Sequence, residues 1–183
     1  MQVQELALPG VLLFKLDVFG DSRGLFFESY NRRRYAEAGL EVDFVQDNVS
    51  LSQRGILRGL HYQIERPQGK LVHVPLGAVV DVMVDLRRQS PTFGKSLAVR
   101  LDDVARDQLY VPPGLAHGFQ VVSEKALFAY KCTDFYHAAS ERSLLWSDPA
   151  LKIEWPIAEP ILSGKDAAGV PLAKADVFET LGA

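Results

Sequence analysis

An all-β sandwich or barrel is the fold class this sequence predicts. Glycine and proline recur about every ten residues, and the runs between them are short and rich in β-branched and aromatic side chains. The clearest run, VVDVMVDL at 79–86, sets Val80, Val82, Val84 and Leu86 against Asp81, Met83 and Asp85, an alternation of period two with one core face and one more polar face.

The elements follow in order. LLFKLDVF (12–19) reads as a strand, GDSRG (20–24) as a turn with Arg23 at its tip, and LFFESY (25–30) as a strand placing Phe26, Glu28 and Tyr30 on one face. One short helix is expected over 31–38, with Asn31 as N-cap and Gly39 as its stop, and Arg32 to Arg34 on its solvated face. Strands are expected at 43–51, where Gln46 and Asn48 share a face, and at 56–63, 70–76, 79–86, 95–101 and 126–136. PLG (75–77) and SPTFG (90–94) supply turns, and VPPGLAHGF reads as a loop presenting His117 at a sheet end. From DPALKIEWP onward, about 147–183, the chain loses periodicity and is expected to wrap the sandwich within a single domain spanning 1–183.

Bulk properties narrow the function. A chain of 183 residues can bury a core without disulfides or a structural metal. Its net charge of -3 offers no global attraction to nucleic acid or a membrane surface, so any bound anion must be held by local arginines. Cys132 is the single cysteine, which suits a reducing compartment. LALPGVLLF is apolar but short, contains Pro9 and has no basic leader, so neither a signal peptide nor a membrane span is expected, and the location expected is the cytoplasm.

The chemistry-bearing residues favour proton transfer. Four histidines, 61, 73, 117 and 137, lack metal-ligand spacing: where a β-barrel metalloenzyme places His-x-His, this chain has His61-Tyr62-Gln63, and an amide is a poor transition-metal ligand. No metal and no cofactor are expected. A neutral imidazole can instead act as a base beside a carboxylate, and Lys70 in QGKLV can stabilise an oxyanion. Strict alternation in ALFAYKCTDFY puts Phe128, Tyr130, Cys132, Asp134 and Tyr136 on one face, so the two tyrosines could share a cavity. Arg23 and Arg58 offer guanidinium forks to phosphate.

The stretches DSRGLFFESY, FVQDN, GILRGLHYQ, QGKLV, VVDVMVDLR, SPTFG, VPPGLAHGF, YKCTDFY, IEWP and LSGKD, in this order and almost end to end, identify a resemblance. The chain resembles the dTDP-4-dehydrorhamnose 3,5-epimerase family of cupin-like sugar-nucleotide epimerases. The resemblance implies a metal-free jelly-roll homodimer with a few short helices, in which about residues 1–30 of one subunit complete the nucleotide site of the other. It implies a dTDP-4-keto-6-deoxyhexose substrate whose acidic C3 and C5 protons flank the ketone. By motif, His61 is similar to the base, Asp166 to its partner, Lys70 to the enolate stabiliser, Tyr130 to the acid on the other face, and Tyr136 to the residue stacking on thymine. Arg23, Glu28, Gln46, Asp47, Asn48, Arg58, His117, Glu141 and Lys165 match the substrate-binding set. IERP before QGK is one residue shorter than the family usually has, and Val49 stands where many members carry histidine. A mono-epimerase of a related sugar, a metal-dependent cupin oxygenase and a non-catalytic sugar-nucleotide binding module remain open alternatives.

Residues 56–63, ILRGLHYQ, carry one geometric demand. Arg58 and His61 are an odd number of positions apart, so an ideal strand sends them to opposite faces; for both to serve one substrate, the strand must twist or bulge near Gly59.

Overall fold

Turn residues cut the chain into short strands, and the structure, a computed structural model that describes residues 1–179, arranges most of them in two antiparallel sheets. In chain order the elements are β1 (Gln2–Glu5), β2 (Leu12–Lys15), β3 (Phe19–Asp21), β4 (Gly24–Phe26), α1 (Arg32–Glu37), β5 (Gln46–Gln53), β6 (Leu57–Gln63), β7 (Lys70–Leu76), β8 (Ala78–Asp85), β9 (Ser96–Asp102), β10 (Gln108–Val111), β11 (Leu115–Val121), β12 (Lys125–Cys132), β13 (Glu141–Ser143) and α2 (Gly164–Ala167). One sheet has the order β1-β2-β10-β7-β12-β5 and the other β13-β6-β11-β8-β9, while β3 and β4 form a separate hairpin. The helix over 32–37 forms as its caps dictate: the Asn31 side chain accepts from the Arg34 N–H, and Gly39 follows with φ +94°.

Three apolar clusters hold the layers together. Val72 and Val74 of β7, Met83 of β8, Phe119 of β11 and Phe128 of β12 meet between the sheets. On the outer face of the first sheet, Tyr35 of α1 and Leu40 cover Phe14, Leu71 and Tyr110. On the outer face of the second, Leu151, Trp155, Leu172 and Phe178 from the C-terminal segment cover Leu60, Val82, Val84 and Ala116. Each fully buried aliphatic or aromatic side chain contributes about 1.5–3 kcal/mol. Residues 180–183 of the expected wrap lie outside the described residues.

Double coverage explains two departures from the sequence reading. LAHGFQV is the strand β11, not a loop, and all seven of its residues are buried. It lies between β6 and β8, packed on both faces, so the polar alternation that marks a half-exposed strand is absent. On 79–86 the valine face is core as expected, with Val82, Val84 and Leu86 buried under the C-terminal segment, but the other face is buried too: Met83 belongs to the cluster between the sheets, and Asp81 pairs there with His117. Asp81 and Asp85 are fully buried, Asp85 being satisfied by Arg87, Ser90 and Thr92. Three expected strands are shorter, the 12–19 run ending at Lys15. The segment 25–30 stays extended only to Phe26, after which Glu28 turns to Arg34 and Tyr30 packs edge-on against Phe44. The 126–136 run ends at Cys132, so strict alternation does not reach Asp134 or Tyr136.

The demand on ILRGLHYQ is met by a bulge. His117 pairs with His61 and Phe119 with Arg58, so three steps along β6 match two along β11. Gly59 sits there at φ +130°, a region that favours glycine, and its backbone lies against that of Gly118. A Cβ added at Gly118 would meet the Arg58 carbonyl oxygen at 2.5 Å and the Gly59 Cα at 2.9 Å. Gly118→Ala is therefore expected to cost about 3 kcal/mol through overpacking. Gly164→Ala, where an added Cβ meets nothing within 4 Å, is expected to leave stability within about 1 kcal/mol of the original. Urea denaturation of the two variants checks both values.

Candidate active site

Both arms of the bulge face one cavity of about 440 Å³. Arg58 and His61 reach it from β6, His117 from β11, Lys70 from β7, Tyr130 from β12 and Asn48 from β5, so both sheets contribute walls. Glu141 of β13, Tyr136 of the preceding loop, and Ser163, Lys165 and Asp166 around α2 close the side. A smaller adjoining pocket of about 230 Å³ shares Asn48, His61, Lys70, Tyr130, Tyr136 and Glu141, and adds Gln46. Gln46 is anchored there: its amide donates to Asn48, and its carbonyl oxygen accepts from the Tyr136 N–H at 2.9 Å.

The most buried close polar pair in the cavity wall around α2 is His61 with Asp166, Nε2 to Oδ1 at 2.5 Å. Asp166 is 3% exposed, and the same Oδ1 accepts from the Gly59 N–H at 3.3 Å. Its Oδ2 accepts from the Ser163 hydroxyl at 2.7 Å. With Nε2–H donated to the carboxylate, Nδ1 of His61 carries the lone pair and is the atom free to take a proton. Burial pushes the imidazole's pKa below its ordinary value, the Lys165 and Lys70 cations push the same way, and Asp166 opposes them. The ring is thereby kept neutral near pH 7, the state a base requires.

The other polar groups have matching environments. Burial lowers the pKa of Lys70 and raises that of the Tyr130 phenol. Thus the lysine is a more acidic, stronger hydrogen-bond donor toward an oxyanion, and the tyrosine retains its proton near neutrality. Glu141 links two further residues, accepting from Lys165 Nζ at 2.5 Å and from the Tyr136 hydroxyl at 2.8 Å. Burial alone would raise its pKa, but these two bonds hold it below the usual carboxylate value. His117 is 6% exposed and its Nε2 lies 2.9 Å from both oxygens of Asp81, a buried carboxylate that sequence reasoning passed over. The available signal was an aspartate interrupting VVDVMV.

Three residues of the expected binding set lie elsewhere. Arg23 stands exposed on the hairpin in a bidentate contact with Asp21, and Glu28 pairs with Arg34 and Asn31. Asp47 points to the opposite face of β5 from Gln46 and Asn48 and pairs with Lys131. Among the described residues, no three His, Cys, Asp or Glu side chains gather as a metal cluster. Gln63, the would-be second ligand, is spent on backbone: it donates to the Arg66 carbonyl and accepts from the His137 N–H.

A family model described as dTDP-4-dehydrorhamnose 3,5-epimerase matches residues 5–174. The dTDP-4-dehydrorhamnose 3,5-epimerase of Pseudomonas aeruginosa is 56% identical over 180 residues, covering 97% of this chain and 99% of that protein. A dTDP-6-deoxy-D-glucose-3,5-epimerase of Legionella pneumophila, solved in complex with dTDP-4-keto-L-rhamnose, superposes with a TM-score of 0.94 at 45% identity, covering 99% of each chain. A 3'-monoepimerase of Streptomyces bikiniensis, in complex with dTDP-quinovose, gives 0.87 at 35% identity, covering 94% of this chain and 88% of that one. The shared architecture is cupin-like.

His61 is expected to titrate below 6.5 in the free protein. Asp166→Asn removes the contact that favours imidazolium and is expected to lower the value further; Lys165→Ala removes an opposing cation and is expected to raise it. Imidazole NMR shifts followed against pH check all three directions.

Proposed function

This chain belongs to the dTDP-4-dehydrorhamnose 3,5-epimerase family and is an isomerase, and on that premise we propose that its cavity converts dTDP-4-dehydro-6-deoxy-D-glucose to dTDP-4-dehydro-L-rhamnose in deoxysugar biosynthesis. The observation that carries the residue assignment is the buried His61–Asp166 pair, aimed into a cavity that also holds Lys70 and Tyr130. The C3 and C5 hydrogens of this sugar are acidic because each lies beside the C4 ketone. His61 Nδ1 removes one as a proton, and the electron pair moves onto the ketone oxygen. Lys70 donates to that oxygen, where a charge in a poorly hydrated site is stabilised more than in water. Tyr130 returns a proton to the carbon from the opposite face, which inverts it, and solvent restores both side chains to their starting states. Repetition at the second carbon completes the reaction. Arg58 suits the diphosphate bidentately, and the exposed ring of Tyr136, steadied by Glu141, suits stacking on thymine.

The partner in this reading is a second copy of the chain. Phe19 and Phe26 of the hairpin are 65% and 70% exposed, and Val49 and Leu51 on the outer face of β5 are 66% and 62% exposed. β5 is also an edge strand of its sheet, with one side unpaired among the described residues. A homodimer in which about residues 1–30 lie against the neighbouring subunit would cover this apolar surface and bring Arg23 and Glu28 to the other cavity. We read 1–183 as one domain. Among the described residues no helix is long and apolar enough to cross a membrane, and the single buried Cys132 suits the reducing cytoplasm.

Purified protein and the keto sugar in deuterated water are expected to give deuterium at both C3 and C5, read by NMR and mass. Label at one carbon alone would make the protein a mono-epimerase. His61→Ala is expected to lower turnover at least about 100-fold with substrate binding largely retained; unchanged turnover would remove the base assignment. Exhaustive chelation is expected to leave activity intact, and its loss would point to the oxygenase alternative. In sedimentation, the protein is expected to run as a dimer. Phe26→Asp, which places a charge on the hairpin's apolar face, is expected to yield monomers with weakened substrate binding.

A further inference from the structure

Ser163 belongs to neither the sequence-derived site nor the family motif roles given above, yet it touches the group on which the base depends. It lies in LSGKD at the cavity wall, immediately before α2. Its hydroxyl donates to Asp166 Oδ2 at 2.7 Å and accepts from the Asp166 N–H at 3.2 Å. The other carboxylate oxygen is taken by His61 Nε2 and the Gly59 N–H. A carboxylate bound at one oxygen only can turn about its Cβ–Cγ bond; bound at both, it is fixed in one plane. Among the described residues, Ser163 is the only donor to Oδ2.

We infer that Ser163 is a positioning residue for the epimerisation, locking the Asp166 carboxylate in the orientation that holds His61 with Nδ1 toward the substrate. The inference rests on the epimerase reading and deepens it. Ser163 also spreads the carboxylate's charge. A hydroxyl bond on Oδ2 draws density away from Oδ1, so its removal makes Oδ1 a stronger partner for imidazolium. The charged groups around His61 are Lys165 and Asp166 of α2, Lys70 of β7, Glu141 of β13, Arg58 of β6 and His117 of β11. The titratable phenols of Tyr130 and Tyr136 complete the wall. Of these groups only Asp166 is hydrogen-bonded to Ser163, so a shift in the His61 titration that recurs in a variant keeping the helix capped reports on Asp166.

Ser163 is also the N-cap of α2, and the test must separate the two roles. Glycine caps a helix nearly as well as serine but offers no hydroxyl. Ser163→Ala and Ser163→Gly are therefore both expected to lower kcat about tenfold, the scale of a lost hydrogen bond to a charged group. KM is expected to stay within about twofold, and the acid limb of kcat/KM is expected to move to higher pH. Ser163→Thr keeps the hydroxyl and is expected to restore both. Wild-type kcat in Ser163→Gly with loss in Ser163→Ala would reduce the residue to a cap and overturn the inference, as would an unmoved acid limb in both. Should the wild-type protein take up no deuterium from solvent, the epimerase reading is what fails. The His61 NMR titration then decides Ser163 by itself: a higher His61 pKa in Ser163→Ala supports the bond to Asp166, and an unchanged one overturns it.

Discussion

The contact between Gly59 and Gly118 is the constraint on which the rest depends. Only two residues without side chains allow β6 and β11 to approach this closely, and the extra residue in β6 is accommodated at that point. Because the strand is out of step there, Arg58 and His61 face the same cavity and not opposite sides of a sheet. The same glycine turns its N–H to Asp166, so the distortion that aims the imidazole also helps seat the carboxylate behind it. Sheet geometry and acid-base geometry are thus one arrangement.

Electrostatics then sorts the groups that share the cavity. Burial disfavours every charge it encloses, and it acts on His61, Lys70 and Tyr130 in the direction of their neutral forms. The carboxyl groups in the same surroundings are each engaged by hydrogen bonds. Asp166 has His61, Gly59 and Ser163, Glu141 has Lys165 and Tyr136, and Asp81 has His117. Among the described residues, no buried side-chain nitrogen or oxygen lacks a hydrogen-bond partner. Such a network costs little in stability only while every member is satisfied, which ties its upkeep to the fold as a whole.

Much of this was legible in the chain. Turn residues between β-branched runs marked an all-β sandwich, Asn31 and Gly39 bracketed the helix, and the odd spacing of Arg58 and His61 called for a twist or bulge near Gly59 if both were to serve one substrate. What escaped was whatever two-sided burial erases. β11 carries no polar alternation because both its faces are packed, so its histidine looked like a loop residue. On β8 the valine face is core as its pattern indicated, but the face of Asp81 and Met83 looked the more exposed and is buried between the sheets. Tyr136 reaches the cavity from a loop beyond the end of β12, so strand alternation was the wrong reason for pairing it with Tyr130.

The sequence by itself determined the fold class, the absence of His-x-His ligand spacing, and, through ordered motifs, the family. These are properties of local pattern: alternation, turn chemistry, and the presence or absence of ligand spacing. Local pattern could not pair a carboxylate with a histidine: the resemblance alone put Asp166 beside His61, and only the tertiary structure put Asp81 beside His117. Asp166 lies 105 positions from His61, and Asp81 lies 36 from His117. No periodicity reaches across such distances, because the register of distant strands and the seat of a C-terminal segment are set by how whole faces pack. Tertiary structure likewise placed Arg23 and Glu28 on an exposed hairpin and its connection, away from the cavity of their own chain.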